Sequence, residues 1–232
     1  MSYIPVTFND YMPRIWNRLV QILGNEIGAA ALMGNMYAES GCTPYACQPS
    51  RPYSTCMTYI NNVDSHAISE WSFVHRGTSV TGGVAQGQGG FGLVQWTYYS
   101  RKQNLYDLWE TYTTTSIGDL DFQIDFVNWE FNNTHTSTRD ALQQATDLRT
   151  ASNFVLFNYE GPTDKSADVQ DTRYNYGLQF YNAYHGTTPV EPPQPAPPPV
   201  DPPEPEPQPP IIAASLLEKH MPPWMYPFNR TK

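Results

Sequence analysis

Gly34-Asn35-Met36-Tyr37-Ala38-Glu39-Ser40-Gly41 begins as the inside of a helix and ends by placing a carboxylate just before a Ser-Gly stop. Upstream, Ile27, Ala30, Ala31, Gly34 and Ala38 recur mainly at three- and four-residue spacings, the pattern of an amphipathic or fully buried helix. Gly41 supplies the usual helix stop. Glu39 therefore falls at the C-terminal end of a packed helix, where the backbone already carries partial negative charge and a carboxylate is disfavoured. A solvated helix-end Glu is the plain reading. A carboxylate placed there to act on a ligand is the sharper one.

Working outward, the 232 residues suffice for one domain with a large core, or for a domain with a tail. The formal net charge is −9 and no basic stripe is patterned to track phosphates, which argues against nucleic-acid binding. No run of about twenty apolar residues marks a membrane segment. The opening Met1–Arg14 stretch lacks the charged start and apolar core of a signal peptide, so delivery outside a cell would need another route. With 16 Tyr, 10 Phe and 6 Trp but only 15% charged residues, the composition suits a domain offering aromatic and hydroxyl surface to an uncharged polar ligand such as sugar.

Three cysteines, Cys42, Cys47 and Cys56, lie close together. Reduced buried thiols, one disulfide with a thiol left over, and a zinc site completed by His66 are the alternatives; the last lacks a familiar Cys-x-x-Cys spacing. No cofactor or metal is expected.

Composition breaks at Pro189. Residues 189–210 alternate Pro with acids and contain no basic residue, which predicts an extended polyproline spacer. Residues 211–232 gather Ile211, Ile212, Leu216, Leu217, Trp224 and Phe228 in a segment too short to fold alone, which reads as a peptide that docks on a partner.

Residues 1–188 read as one α+β domain. Thr7 with Asp10 resembles a capping pair before a helix carrying Ile15, Leu19, Ile22 and Leu23. The helix ending near Glu39 follows, and five more are expected after residue 100. Between about Cys42 and Trp96 the Gly-, Thr- and Val-rich pattern predicts a small β-hairpin insertion.

A helix-end Glu bordering such an insertion suits glycoside cleavage, in which a carboxylic acid protonates a leaving oxygen. Burial beside an aromatic such as Tyr37 would keep that acid protonated. In the second run, Gly90–Thr97, Gly92 permits close backbone approach, Gln95 can donate to and accept from sugar groups, and Trp96 is either a stacking face or a core anchor. The third, Asn158–Pro162, puts Glu160 at another helix end, facing the same cleft or orienting an Arg such as Arg173.

Together these runs resemble the tail lysozymes of tailed bacteriophages. The family's Gly-Asn-Met-x-x-Glu-Ser corresponds to Gly34–Ser40, its Gly-x-Gly-Leu-x-Gln-Trp-Thr to Gly90–Thr97, and its Tyr-Glu-x-Pro to Tyr159–Pro162, with an aromatic Trp-Glu-x-Asn segment at Trp129–Asn132. The resemblance implies a lysozyme-like domain that cuts the glycan strand of bacterial peptidoglycan as a muramidase-like hydrolase or a lytic transglycosylase. Glu39 takes the place of the catalytic acid, and Tyr37, Gly92, Gln95, Trp96, Thr97, Tyr159 and Glu160 are expected on the substrate side. For a second catalytic group Asp64, Glu70 and Glu160 stay open.

Free-diffusing wall hydrolases gain from positive charge on anionic walls, whereas an acidic one fits delivery by a tether that sets its local concentration. The expected setting is thus a phage tail in the virion, acting at the host cell wall, with residues 211–232 bound to a tail protein. A free endolysin and an inactive glycan-binding tail plug are the alternatives.

Overall fold

The computed structural model describes residues 5–48, 51–76 and 89–187. All of them fall in the first of two units into which the chain divides, Met1–Pro192. The expected polyproline spacer and docking peptide, residues 189–232, lie outside the described residues.

The centre of the fold is α2, Glu26–Ser40. Its nine residues from Gly28 to Met36 are all buried, so the helix is enclosed on every side and not amphipathic. Asn25 starts it, its side chain accepting from the Gly28 amide at 2.9 Å. Gly41 ends it in the left-handed conformation at φ 64°, its N–H bonded to the Tyr37 carbonyl. α1, Met12–Leu23, lays Ile15, Trp16, Leu19 and Leu23 against this core. The expected Thr7–Asp10 cap does not form: Tyr11 is the N-cap with no side-chain bond, and Pro in the first turn, with φ already suited to a helix, starts α1 instead.

α9, Ala167–Tyr184, packs along α2 more extensively than any other pair of helices. Two glycines allow this. A Cβ on Gly34 would lie 2.5 Å from the Gly177 nitrogen, and one on Gly177 would lie 2.9 Å from the Ala30 carbonyl oxygen. The backbones touch, which fixes the rotation of α9 and so the place of Arg173 upon it.

The remaining helices are α3 (Tyr53–Asp64), α4 (Glu70–His75), α5 (Tyr99–Trp109), α6 (Leu120–Asn133), α7 (Thr136–Gln143) and α8 (Leu148–Val155). α8 runs directly into a single wide π turn, Leu156–Glu160, closed by Gly161 at φ 61°.

The β-hairpin is not found among the described residues. Residues 42–96 instead contain α3 and α4, and among the described residues the β contact is one antiparallel bridge, Cys47 to Phe91. The reason is visible in α3, where Cys56, Ile60 and Val63 are buried at helical spacing. The run 89–97 forms turns, with Gly92 at φ 73° and Gln95 at φ 50°; residues 77–88, the most strand-like part of the expectation, lie outside the described residues.

The turns are held from below by Gln123 of α6. Its amide nitrogen donates to the carbonyls of Pro44 at 2.8 Å and Ile117 at 3.0 Å, and its oxygen accepts from the Leu93 amide at 3.0 Å. Cys47 and Cys56 form a disulfide, and Cys42 is a buried free thiol whose pKa burial raises. That arrangement removes the zinc alternative for the three cysteines. His66 itself bonds through Nδ1 to the Tyr106 hydroxyl at 3.2 Å.

Candidate active site

A cavity of about 580 Å³ opens where the end of α2, the 94–98 turn, the start of α5 and the π turn meet. Its walls include Glu39, Gln48, Gln95, Tyr98, Arg101 and Glu160. The volume lies within the range of roughly 300–1,000 Å³ usual for small-ligand sites.

Glu39 reaches the cavity because Gly41 ends the helix one residue beyond Ser40. Ser40 is pinned by its hydroxyl, which donates to the Leu93 carbonyl at 2.7 Å and so ties the helix end to the turn. The Glu39 carboxylate accepts from Arg173 of α9. Arg173, 8% exposed, is in turn set by Asn35, whose side-chain oxygen lies 3.2 Å from it. Asn35 is fully buried and its amide donates to the Ala31 and Ser152 carbonyls. The chain Ser152–Asn35–Arg173–Glu39 thus links α8, α2 and α9, and the disfavoured charge at the end of α2 is offset by a guanidinium.

Glu160 is the second carboxylate of the cavity. Its Oε1 is buried without a hydrogen-bond partner among the described residues. Burial, and then the like charge of Glu39, push its pKa up to about 8, against the opposing pull of Arg101 and Arg173. At neutral pH Glu160 is therefore mostly protonated, beside the Glu39 that Arg173 holds.

Under the cavity floor lies Glu130, 1% exposed. It accepts from Trp96 Nε1 at 3.0 Å, from Arg101 Nε at 2.7 Å and from the Tyr159 hydroxyl at 2.7 Å. Burial alone would raise its pKa, but the charge of Arg101 and these bonds outweigh it and hold the carboxyl below the usual range. Arg101 also stacks over the Tyr159 ring at 4.6 Å and donates to the Tyr159 carbonyl at 3.2 Å. Glu130 and Arg101 thereby fix the π turn that presents Glu160.

Of the residues singled out from sequence, Glu39, Gln95, Thr97, Tyr159 and Glu160 line this cavity. Three do not. Tyr37 faces α9, its ring 4.7 Å from that of Tyr176 and its hydroxyl accepting from the Thr7 amide. Two positions along a helix are about 200° around it, so Tyr37 cannot share a face with Glu39. Trp96 is fully buried as a core anchor on Phe126. Gly92 faces inward, where a Cβ would lie 2.6 Å from Gln123 Oε1, so its role is in packing the turn and not in approach to a ligand.

Gln95 is committed on one side: its amide nitrogen donates to the Gly92 and Ala46 carbonyls. Neither Asp64 nor Glu70 lines the cavity. Asp64 accepts from Ser116 Oγ at 2.6 Å and from the Ile117 amide at 2.9 Å, beside a separate cavity of about 470 Å³ that also includes His66 and Trp109. Glu70 accepts from Gln103 at 2.7 Å. Arg173, read as a partner of Glu160, pairs with Glu39 instead. Arg101, Gln48 and Tyr98 carry no motif that marks them in the sequence; Arg101 is one of two adjacent cations, with Lys102, in the first turn of α5.

The family model for phage tail lysozymes matches residues 10–184. The chain belongs to that family. The match ends at Tyr184, which is also the last residue of α9. It spans Glu39, Arg101, Glu130, Glu160 and Arg173 and stops before the Pro-rich segment. No curated protein and no solved structure matches the chain. Membership in the phage tail lysozymes assigns a lysozyme-like, peptidoglycan-degrading activity, and the mainly helical fold is consistent with it. Among the described residues no helix is long and apolar enough to cross a membrane.

Proposed function

We propose that this tail lysozyme cleaves the glycan strand of peptidoglycan at the bond between N-acetylmuramic acid and N-acetylglucosamine, with Glu39 as general acid. The observation that carries the reading is the opening of two carboxylates, Glu39 and Glu160, into one cavity within the family-matched residues. Glycosidic cleavage needs a proton delivered to the leaving oxygen and negative charge near the cation-like sugar that forms. Glu39, next to the protonated Glu160, stands where both needs meet. Gln95, Thr97 and Tyr159 are assigned to the walls along which the strand lies.

The activity serves entry through the host wall during DNA delivery, from a place in the phage tail. Residues 211–232 dock on a tail protein. The acidic net charge of −9 supports delivery by tether over free diffusion to an anionic wall.

Incubating the full chain with purified peptidoglycan and weighing the released fragments tests the reaction. Muropeptides with a reducing muramic acid mean hydrolysis, and 1,6-anhydro muropeptides mean internal attack by the muramyl hydroxyl. Release of neither from walls of varied chemistry would refute glycan cleavage and return the tail-plug alternative.

A further inference from the structure

An acid that works from within an ion pair has a supply problem. Glu39 is bound by Arg173, whose guanidinium donates to it and so occupies the carboxylate as an acceptor. On the wall of the same cavity, Glu160 shows the opposite environment: a buried oxygen with no hydrogen-bond partner among the described residues, at the end of the π turn. An orphaned, buried carboxylate oxygen is costly when charged and much less so when protonated.

We propose that Glu39 and Glu160 share one proton, which rests on Glu160 in the free protein and reaches the glycosidic oxygen through Glu39. This rests on the reading of Glu39 as general acid and adds the source of its proton. In the step, Glu160 gives its proton to the Glu39 carboxylate, and Glu39 passes it to the bridging oxygen as the bond from that oxygen to the anomeric carbon breaks. A hydroxyl, from water or from the sugar itself, then bonds to the anomeric carbon and loses its proton to the Glu160 carboxylate. One proton leaves the pair and one returns, so the account balances for hydrolysis and for internal attack alike.

The groups around Glu160 make the pair act as a unit. Glu39 faces it from α2, Arg173 from α9, Arg101 from α5 and Glu130 from α6, with Tyr159 beside it on the π turn. Arg101 is largely engaged by Glu130 and Arg173 by Glu39, through direct ion pairs. For Glu160, burial and the charge of Glu39 outweigh the pull of these two cations. Glu160 supplies the proton through Glu39 and takes one back from the reacting hydroxyl, which makes it a catalytic residue, distinct from one that merely braces the wall.

Two measurements on the full chain test this. In the pH profile of fragment release from purified peptidoglycan, wild type should lose activity as pH rises through about 8. In Glu160→Gln the same limb should fall at least about one pH unit lower, with activity recovering toward acid pH where solvent protonates Glu39 directly. A variant with an unchanged pH profile, whatever its absolute rate, overturns the proposal.

The second measurement needs no activity. Titration of the ¹³C-labelled glutamate side chains by NMR should show Glu160 losing its proton near pH 8 in wild type and at lower pH in Glu39→Gln, where the like charge is gone. A Glu160 resonance that titrates in the ordinary carboxylate range, or one indifferent to Glu39→Gln, refutes the shared proton. If the wall assay fails but the coupled titration is seen, the glycan reading falls while the pair stands; the converse result spares the glycan reading and removes the pair.

Discussion

Arg173 of α9 holds the carboxylate of Glu39 at the end of α2, across 134 positions of sequence, and this ion pair sets the charge balance of the cleft. The guanidinium is only 8% exposed and is oriented by the buried Asn35, so the pair is built into the contact between the two longest helices. It offsets a carboxylate that the helix dipole would otherwise disfavour.

Removing that cation should raise the pH at which the cleft loses its proton, since Arg173 lowers the proton affinity of Glu160. The expected outcome for Arg173→Met is an alkaline limb of activity displaced to higher pH than in wild type. The comparison is the pH profile of muropeptide release. A shift toward lower pH would show that Arg173 does not act on the carboxylates in this way.

Glu130→Gln should destabilise the fold by about 3–5 kcal/mol, the usual cost of removing one partner of a buried ion pair. Arg101 would be left with its charge uncompensated beneath the cleft, and the bonds from Trp96 and Tyr159 would lose their anionic acceptor. Urea unfolding followed by tryptophan fluorescence gives the value. A change below about 1 kcal/mol would mean that the network adds little beyond packing.

Much of this arrangement was legible in the sequence, and the limits follow from its physics. Local signals survived: Gly41 stops α2 where expected, and the apolar spacing of α1 and α2 gives their buried faces. Contacts closed over long separations did not. Arg173 to Glu39 and Arg101 to Glu130, 134 and 29 positions apart, leave no periodic trace. The run Gly89–Thr97 reads as a strand because Val and Thr suit strands and Gly a hairpin turn, while the fold uses Gln123 of α6 to satisfy the turn's backbone in place of a partner strand. Tyr37 differs for another reason: two positions from Glu39 on a helix, it is near in sequence and on the opposite face in space.

Lys102 provides a test of the cleft's surroundings. It is fully buried, donates to the Arg76 carbonyl at 2.7 Å, and has its pKa lowered to about 7, first by burial and then by the charge of Arg76. Between about pH 7 and the ordinary lysine value of 10.5 the unfolded chain binds a proton that the folded chain does not, so Lys102 makes stability rise with pH across that window. Lys102→Met removes that slope. The difference in Tm, wild type minus variant, should grow steadily from pH 8 to pH 10; a constant difference would contradict the assigned burial.

The most direct test of glycan cleavage by Glu39 is release of muropeptides from purified peptidoglycan by the full chain, wild type beside Glu39→Gln, with folding of both checked by circular dichroism. The account predicts a loss of at least about a hundredfold in the variant, the scale of a general acid's contribution. A folded Glu39→Gln protein that releases muropeptides at the wild-type rate would contradict it.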